Sequence, residues 1–470
     1  YYRCVVDKNT VLNYFKDFSK INRCSKHEEK ISDYLENFAH NNNLECKRDK
    51  FNNIYIKRES DKSLEDKPGI ILQAHMDMVC VSDEDYDFND GIKIMEKDGF
   101  MFADKTSLGA DNGIGLAIAM ATLTSNYKLP QIEVVVTTSE EVDMSGAMNF
   151  DFDLSGKYFI NIDSEDENEL IVGSSGGENV NVEINKNYGS ESLSNFYKIS
   201  VKGLKGGHSG MEIDKNHQNA IKVVFKFLES LDDHYICDFK AGSKDNAIPT
   251  NAEIILSTDE SIDSLNKKSE EFISKVDLED FDKDLRLLIE DVSPQKCLNK
   301  NTTENLSNLI GELNSGAISY IEGLDETVET SCNLAIVNSL DDKFEIILST
   351  RSSNHDKLIE LREDIVSKAN KYNATAFDYN YYPTWEFNEK SELMEVAKKA
   401  FSKVNDKEID VKVIHAGLEC GVFAEKYKNI DCISIGPTMY DVHTTKERLD
   451  IESLERFIKF YNEILNMLTN

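Results

Sequence analysis

The chain has 470 residues, 40% hydrophobic and 9% aromatic, enough apolar material for two or three domains, which excludes a disordered, collagenous or low-complexity protein. Its 86 acidic residues against 53 basic ones give a net charge of −33, a surface that repels nucleic acid and anionic membranes and removes both as default partners. No apolar run approaches the roughly 18–20 residues of a membrane span, the longest being Ile114–Leu123.

No secretory signal opens the chain, and its first residue is Tyr rather than Met, so truncation or addition is one expected origin of Tyr1–Arg3. The nine cysteines are an odd number without a CxxC pair and read as reduced thiols of a cytoplasmic protein. Only nine of the basic residues are Arg, so each Arg asks for a reason.

In chain order, Val11, Leu12, Tyr14, Phe15 and Phe18 share one helical face, and Ile31, Tyr34, Leu35 and Phe38 another. Asn52-Asn53 turns into a strand at Ile54–Ile56, and Pro68-Gly69 precedes a buried strand at Ile70–Ala74. A short edge or loop at Met101–Asp104, a helix at Ile114–Leu123 and strands at Gln131–Thr137 and Tyr158–Ile162 follow. This alternation predicts an α/β layered sheet. From the polar stretch 183–195 to about 390 the pattern changes to strands (FYKISVKGL, AEIILST, FEIILSTRS) and charged helices at about 262–291 and 357–371. That reads as an inserted α+β domain. The first pattern resumes at Met394–Val404, Val411–Ile414, Cys432–Ile435 and 451–468. The predicted division is 1–187 with 389–470 for one domain and 188–388 for the insert.

Chemistry concentrates at the predicted strand ends. His75 in ILQAHMDMV stands two residues before Asp77, so both side chains face one way in a strand. His75 can bind a metal while Asp77 takes its other ring N–H, or the pair is a satisfied core histidine. Asp111 in GADNGIG follows a glycine turn, as a ligand or as a helix N-cap; the spacing is not the dinucleotide fingerprint. Glu140-Glu141 after QIEVVVTTS cannot both point one way. One can bind a metal while the other faces a reacting water, or both are a surface pair. Asp163 ends YFINID, and His443 lies in the loop after Gly436-Pro437, where a histidine is ordinarily just solvated.

In combination, two His and three carboxylates at strand ends on one side of an α/β sheet form a two-metal set. Asp111, Glu141 and Asp163 leave two divalent cations with one residual positive charge, which draws the pKa of a shared water toward hydroxide. An unliganded Glu140 can take that water's proton and pass it to a leaving amine. Oxygen and imidazole ligands without thiolate suit zinc, manganese and cobalt alike.

These segments together resemble the M20 metallopeptidase family, and within it the bacterial aminoacyl-histidine dipeptidases. The resemblance runs from FSKINRCSKHEEKISDYLENFA through QAHMDMV, GADNGIG, TTSEEVDMSGA, NIDSEDE, GLKGGHSGMEI, NAIPTNAE, TRSS and HAGLECG to GPTMYDVHTTKE. It implies a three-layer α/β metallo-exopeptidase catalytic domain with an inserted α+β lid. The implied activity is hydrolysis of unblocked dipeptides, Xaa-His among them, by hydroxide held between two divalent ions, zinc first. A tripeptidase, an N-acyl amino acid deacylase and a binding protein without catalysis are the rival readings.

Carried onto this sequence, the pattern gives one metal to His75 and Asp163 and the other to Glu141 and His443. Asp111 bridges them and precedes a cis peptide to Asn112. Asp77 orients His75, and Glu140 is the general base. His208 in GGHSG polarises the scissile carbonyl. Asn246 in NAIPTNAE and Arg351 in FEIILSTRSS hold the substrate carboxylate, a task for which the planar guanidinium is suited. Glu419 in HAGLECG receives the substrate amine, while His415 is as readily structural as functional. The protein would act on small peptides as a monomer or homodimer. Ser139 replaces an Asp of the pattern, Asp143 a Gly and Asn22 a Pro. None of these removes a ligand or the base, but Ser139 changes the surroundings of the Glu pair and puts the full rate in doubt.

Overall fold

Strands Ile70–His75 and Ile132–Thr137 are buried at every residue, as befits central parallel strands covered on both faces, and they pair in a register that sets His75 opposite Thr137. They belong to an eight-stranded sheet in a computed structural model that describes residues 4–324 and 326–470; Tyr1–Arg3 lie outside the described residues. Tyr158–Asn161 runs parallel to 70–75 on its other side, and Asp431–Ser434 runs parallel to 158–161. The C-terminal ends of these four strands therefore lie along one edge of the sheet. Helix Ala110–Leu123, apolar all round and wholly buried, packs against strand 70–75 and helix Lys8–Phe18. Helices Glu392–Asn405 and Ile451–Thr469 pack on each other. This first unit comprises residues up to Ser174, Phe387–Ile414 and Leu418–Asn470.

The second unit, Ser175–Glu386 with His415–Gly417, is a nine-stranded antiparallel sheet. Its core gathers Val180, Val182, Ile199, Phe227, Phe239, Leu306, Leu348 and Ile365 from the strands and from helices Ala220–Leu228, Lys300–Glu312 and His355–Lys371. Strand Gly176–Asn185 pairs with Lys343–Ser352 and Ala374–Tyr382, which carries it into this unit ahead of the polar stretch 183–195.

Two expectations are corrected. The helix expected over about 262–291 ends at Ile273, and Arg286–Asp291 is an edge strand paired with Asn195–Lys202. Its charged side chains suit an exposed sheet edge, where solvent rather than a second strand lies alongside. The expectation of nine reduced thiols also fails. Cys24 and Cys80, 56 residues apart, form a disulfide, because residues 23–25 lie alongside 76–80 through a bridge between Cys24 and Met78. The other seven cysteines are free, five of them buried.

Candidate active site

Three of the strand ends along the first unit's sheet edge lead to candidate groups, and a helix start and a hairpin add two more. His75 closes its strand, and Asp163 follows the next one by two residues. Glu140 and Glu141 begin a one-turn helix after strand 132–137, with Ser139 turned into the left-handed region to make the corner. Asp111 enters helix 110–123 through a cis peptide to Asn112. His443 follows the hairpin strand Met439–Tyr440.

These groups converge. Asp111 Oδ1 lies 3.1 Å from His75 Nε2, and Asp111 Oδ2 lies 3.0 Å from His443 Nε2. Asp163 Oδ1 is 3.4 Å from His75 Nε2, and Glu141 Oε2 is 2.8 Å from His443 Nε2. Three groups here could hold a cation, His75–Asp111–Asp163, Asp111–Glu141–His443 and His75–Glu140–Glu141, and the first two share the single carboxylate of Asp111. Glu140 stands beside the first group, 3.7 Å from His75 Nε2. Asp163 Oδ1 is buried and has no hydrogen-bond partner, an orphaned acceptor that a cation satisfies. Oxygen and nitrogen donors at this spacing fit two divalent ions.

Asp77 contacts more than His75. The Nδ1–H of His75 lies 3.0 Å from the Asp77 carbonyl oxygen and 3.4 Å from its Oδ1, so the backbone shares the task with the carboxylate. Oδ1 also accepts from the backbone N–H of Glu140, and Oδ2 from that of Glu141 and from the Ser25 hydroxyl at 2.7 Å. The Asp77 carboxylate thus places the paired glutamates too. Neither Ser25 nor this double duty shows in the sequence, because the partners are 52 to 64 residues away.

Electrostatics follow from the crowding. Burial opposes charge on His75, yet Asp163, Asp111 and Asp77 lift its imidazole well above the ordinary range. Donating hydrogen bonds to the Asp111 and Glu141 carboxylates raises His443 to about 11. Burial, together with the neighbouring Asp163, Glu419 and Glu141, pushes Glu140 well above the usual carboxylate range, although His75 opposes this. Glu419 is fixed by Gln73 Nε2 at 2.6 Å and Thr137 Oγ1 at 3.0 Å, both on its Oε2. Its Oε1 is buried and unpartnered, and burial raises its pKa to about 7.

The second unit brings its own group together by antiparallel pairing. A bridge between His208 and Ala247, with Ser209 N donating to the Asn246 carbonyl, sets His208 beside Asn246. A cavity of about 320 Å³ is lined by Gly206, His208, Asn246, Ile248 and Thr250. The backbone N–H groups of Gly210 and Met211 both donate to His208 Nδ1 at 3.1 Å. A backbone amide can only donate, so the ring proton of neutral His208 sits on Nε2. Burial and Arg351 depress the His208 pKa, which keeps that neutral form.

Arg351 lies in register with Ser331 and Gly177, and its Nη1 donates to the Tyr382 hydroxyl at 2.9 Å. Its Nε is buried without a partner. A side chain at Gly177 would collide with the Tyr382 hydroxyl, so the glycine makes room for that contact. Tyr382 is a partner that sequence reading missed, 31 residues from the arginine it holds. His415 is buried and hydrogen-bonded to Ser331 at 2.6 Å; burial and Arg351 lower it to about 3, a structural rather than an acid–base setting.

Residues 71–467 match the Peptidase family M20/M25/M40. The chain is 32% identical over 471 residues to the cytosol non-specific dipeptidase of Escherichia coli (strain K12), covering 96% of each. Among solved structures, the aminoacylhistidine dipeptidase from Vibrio alginolyticus superposes with a TM-score of 0.90 at 29% identity, covering 98% of this chain and 97% of that one. The aminopeptidase PepT from Bacillus cereus ATCC 10987 shares the fold, with a TM-score of 0.58 at 18% identity over 99% of this chain and 100% of that one.

Proposed function

The chain belongs to the M20/M25/M40 family of peptidases, hydrolases acting on peptide bonds, and from that premise we propose that it is a two-metal dipeptidase of unblocked dipeptides, Xaa-His among them. The observation that carries this reading is the Asp111 carboxylate, which turns one oxygen to each of two histidine–carboxylate groups. His75 and Asp163 would hold one ion, Glu141 and His443 the other, and Asp111 both; zinc is the first candidate, with manganese and cobalt equally matched to the donors. When bound, the ions supply a Lewis acid for the scissile carbonyl and an acidified water for attack.

The remaining steps fall to side chains. In this reading the first unit is the catalytic domain and the second its lid. Glu140 takes the proton of the attacking water and delivers it to the leaving nitrogen; its raised proton affinity suits that shuttle. The Nε2–H of His208 donates to the carbonyl oxygen as negative charge develops there. Arg351, held by Tyr382, and Asn246 grip the substrate carboxylate, and the free Oε1 of Glu419 receives the substrate amine. Both termini are then read, which favours dipeptides over longer chains.

The relative's name supports a cytoplasmic setting, and among the described residues no helix is long and apolar enough to cross a membrane. Turnover of a panel of dipeptides, tripeptides and N-acetylated amino acids, alongside metal content, tests the proposal. Selective cleavage of dipeptides with two ions per chain is the expected result. Preference for tripeptides or acylated substrates overturns the substrate assignment, and a metal-loaded protein that cleaves none of the panel overturns catalysis.

A further inference from the structure

The loop that carries Asp111 is gripped from both sides by two buried residues outside the ligand set. Glu447, 2% exposed, accepts through Oε2 from the backbone N–H groups of Leu108 at 2.7 Å and Gly109 at 2.8 Å, and through Oε1 from that of Asp111 at 3.2 Å. Arg23, 1% exposed, donates from Nη1 to the carbonyls of Met76 at 3.1 Å and Asp77 at 3.3 Å, and from Nη2 to the carbonyl of Gly109. Gly109 is therefore held at its N–H by an anion and at its C=O by a cation. Its φ of +72° is the left-handed region, and a Cβ there would strike the Arg23 guanidinium.

We propose that Glu447 and Arg23 are positioning residues that fix the Asp111 carboxylate in the orientation that serves two cations at once. The inference rests on the reading of Asp111 as the bridging ligand. That carboxylate has to present Oδ1 toward His75 and Oδ2 toward His443 together, and a small rotation of the backbone at 109–111 spoils both. A glycine turn does not resist such a rotation by itself. Three N–H bonds to one carboxylate and a carbonyl bond to one guanidinium do. Because Arg23 also holds the carbonyls of Met76 and Asp77, the same brace references Asp111 to the strand end that bears His75.

The first unit contains its own control. Glu133, 1% exposed, also holds loop amides, those of Ser155 and Gly156, along with the Tyr55 hydroxyl. It sits at the start of the strand whose far end leads to Glu140. If holding loop amides served stability alone, the two carboxylates would be equivalent.

The experiment is a cobalt(II) titration of the apoprotein, read by visible absorption and by metal content, with thermal unfolding of each apoprotein alongside. Wild type takes up two Co²⁺ per chain. Glu447→Gln weakens uptake at both sites by at least tenfold and alters the absorption bands, since the shared ligand moves. Glu133→Gln lowers the unfolding midpoint but titrates as wild type. Glu447→Asp, which keeps the charge and withdraws it by one methylene, stands in if the Gln variant does not fold, and it too weakens both sites. Wild-type titration by the Glu447 variant overturns the inference, as does an equal loss of cobalt in Glu133→Gln. Fewer than two Co²⁺ on the wild type instead defeats the bridging reading itself.

Discussion

In the first unit the candidate groups hang from the C-terminal ends of parallel strands, and in the second His208, Asn246 and Arg351 come from a turn, a loop and an antiparallel strand. The parallel edge sets the spacing of His75, Glu140, Glu141 and Asp163 by topology, because neighbouring strands end at the same level. Their crowding, in turn, shifts their proton affinities strongly. The antiparallel unit supplies donors rather than a charge cluster. His208 is oriented by two amides and Arg351 by one phenol. In the proposed reading one region would hold cations and move a proton, and the other would hold the substrate carboxylate and meet the carbonyl oxygen. Substitutions of Glu140 and His208 should then strike the rate constant, and those of Arg351 and Asn246 the Michaelis constant.

The sharpest test of that division is Glu140→Gln, which should keep both metals and lower kcat by about 10²–10⁴-fold, the usual worth of general acid–base catalysis. Near-normal turnover with metal retained would remove the base from the first unit. Arg351→Ala should raise KM by about 10–100-fold, the loss of a charged hydrogen-bonding partner of roughly 1.5–3 kcal/mol, with kcat less affected. A drop confined to kcat would break the comparison.

Acid stability distinguishes the units in another way. The His415 ring is harder to protonate in the folded chain, at about 3, than at the unfolded value of 6.5. The unfolded chain therefore binds the extra proton first, and the stability tied to this residue is complete above about pH 6.5 and lost as the pH falls toward 3. Denaturant unfolding at pH 7 and pH 4 should show a smaller acid loss in His415→Asn than in wild type, by about 3 kcal/mol. Equal losses would mean that His415 is not the group responsible. The smallest expected effect is Tyr382→Phe, which removes one hydrogen bond of about 1 kcal/mol and should raise the KM for dipeptides a few-fold without touching kcat.

Metal uptake sharpens the same contrast from the side of protons. The surrounding carboxylates raise the proton affinity of both His75 and His443 before a cation arrives, the latter to about 11. Binding has to displace protons, so affinity rises with pH. Calorimetry in buffers of different ionisation enthalpy should report a net release of protons on metal binding at pH 7.5. No release would mean that the imidazoles are not ligands.

What the sequence disclosed follows the same line. Apolar runs such as QIEVVVT and IILQAH announced the parallel strands, and the polar groups just beyond them are the ones that lie close together in the fold. The glycine-bounded GADNGIG marked Asp111, and the cis peptide expected there is present. The partners that hold these groups stayed hidden. Ser25, Gln73, Thr137, Arg23 and Glu447 reach their targets across tens to hundreds of residues, and a lone polar residue carries no periodic signal. Strand Arg286–Asp291 was hidden for another reason, since its charges mimic a solvated helix. The Cys24–Cys80 pair depends on two loops meeting, which cysteine spacing alone does not encode.

Asp77 has one consequence for anyone who edits this chain. Everything that approaches its carboxylate is a donor: an imidazole N–H, a hydroxyl and two backbone amides. Asparagine, its isostere in shape, would turn an NH₂ against two of them. No natural side chain of that size offers two acceptors and no hydrogen, so the position has no silent replacement.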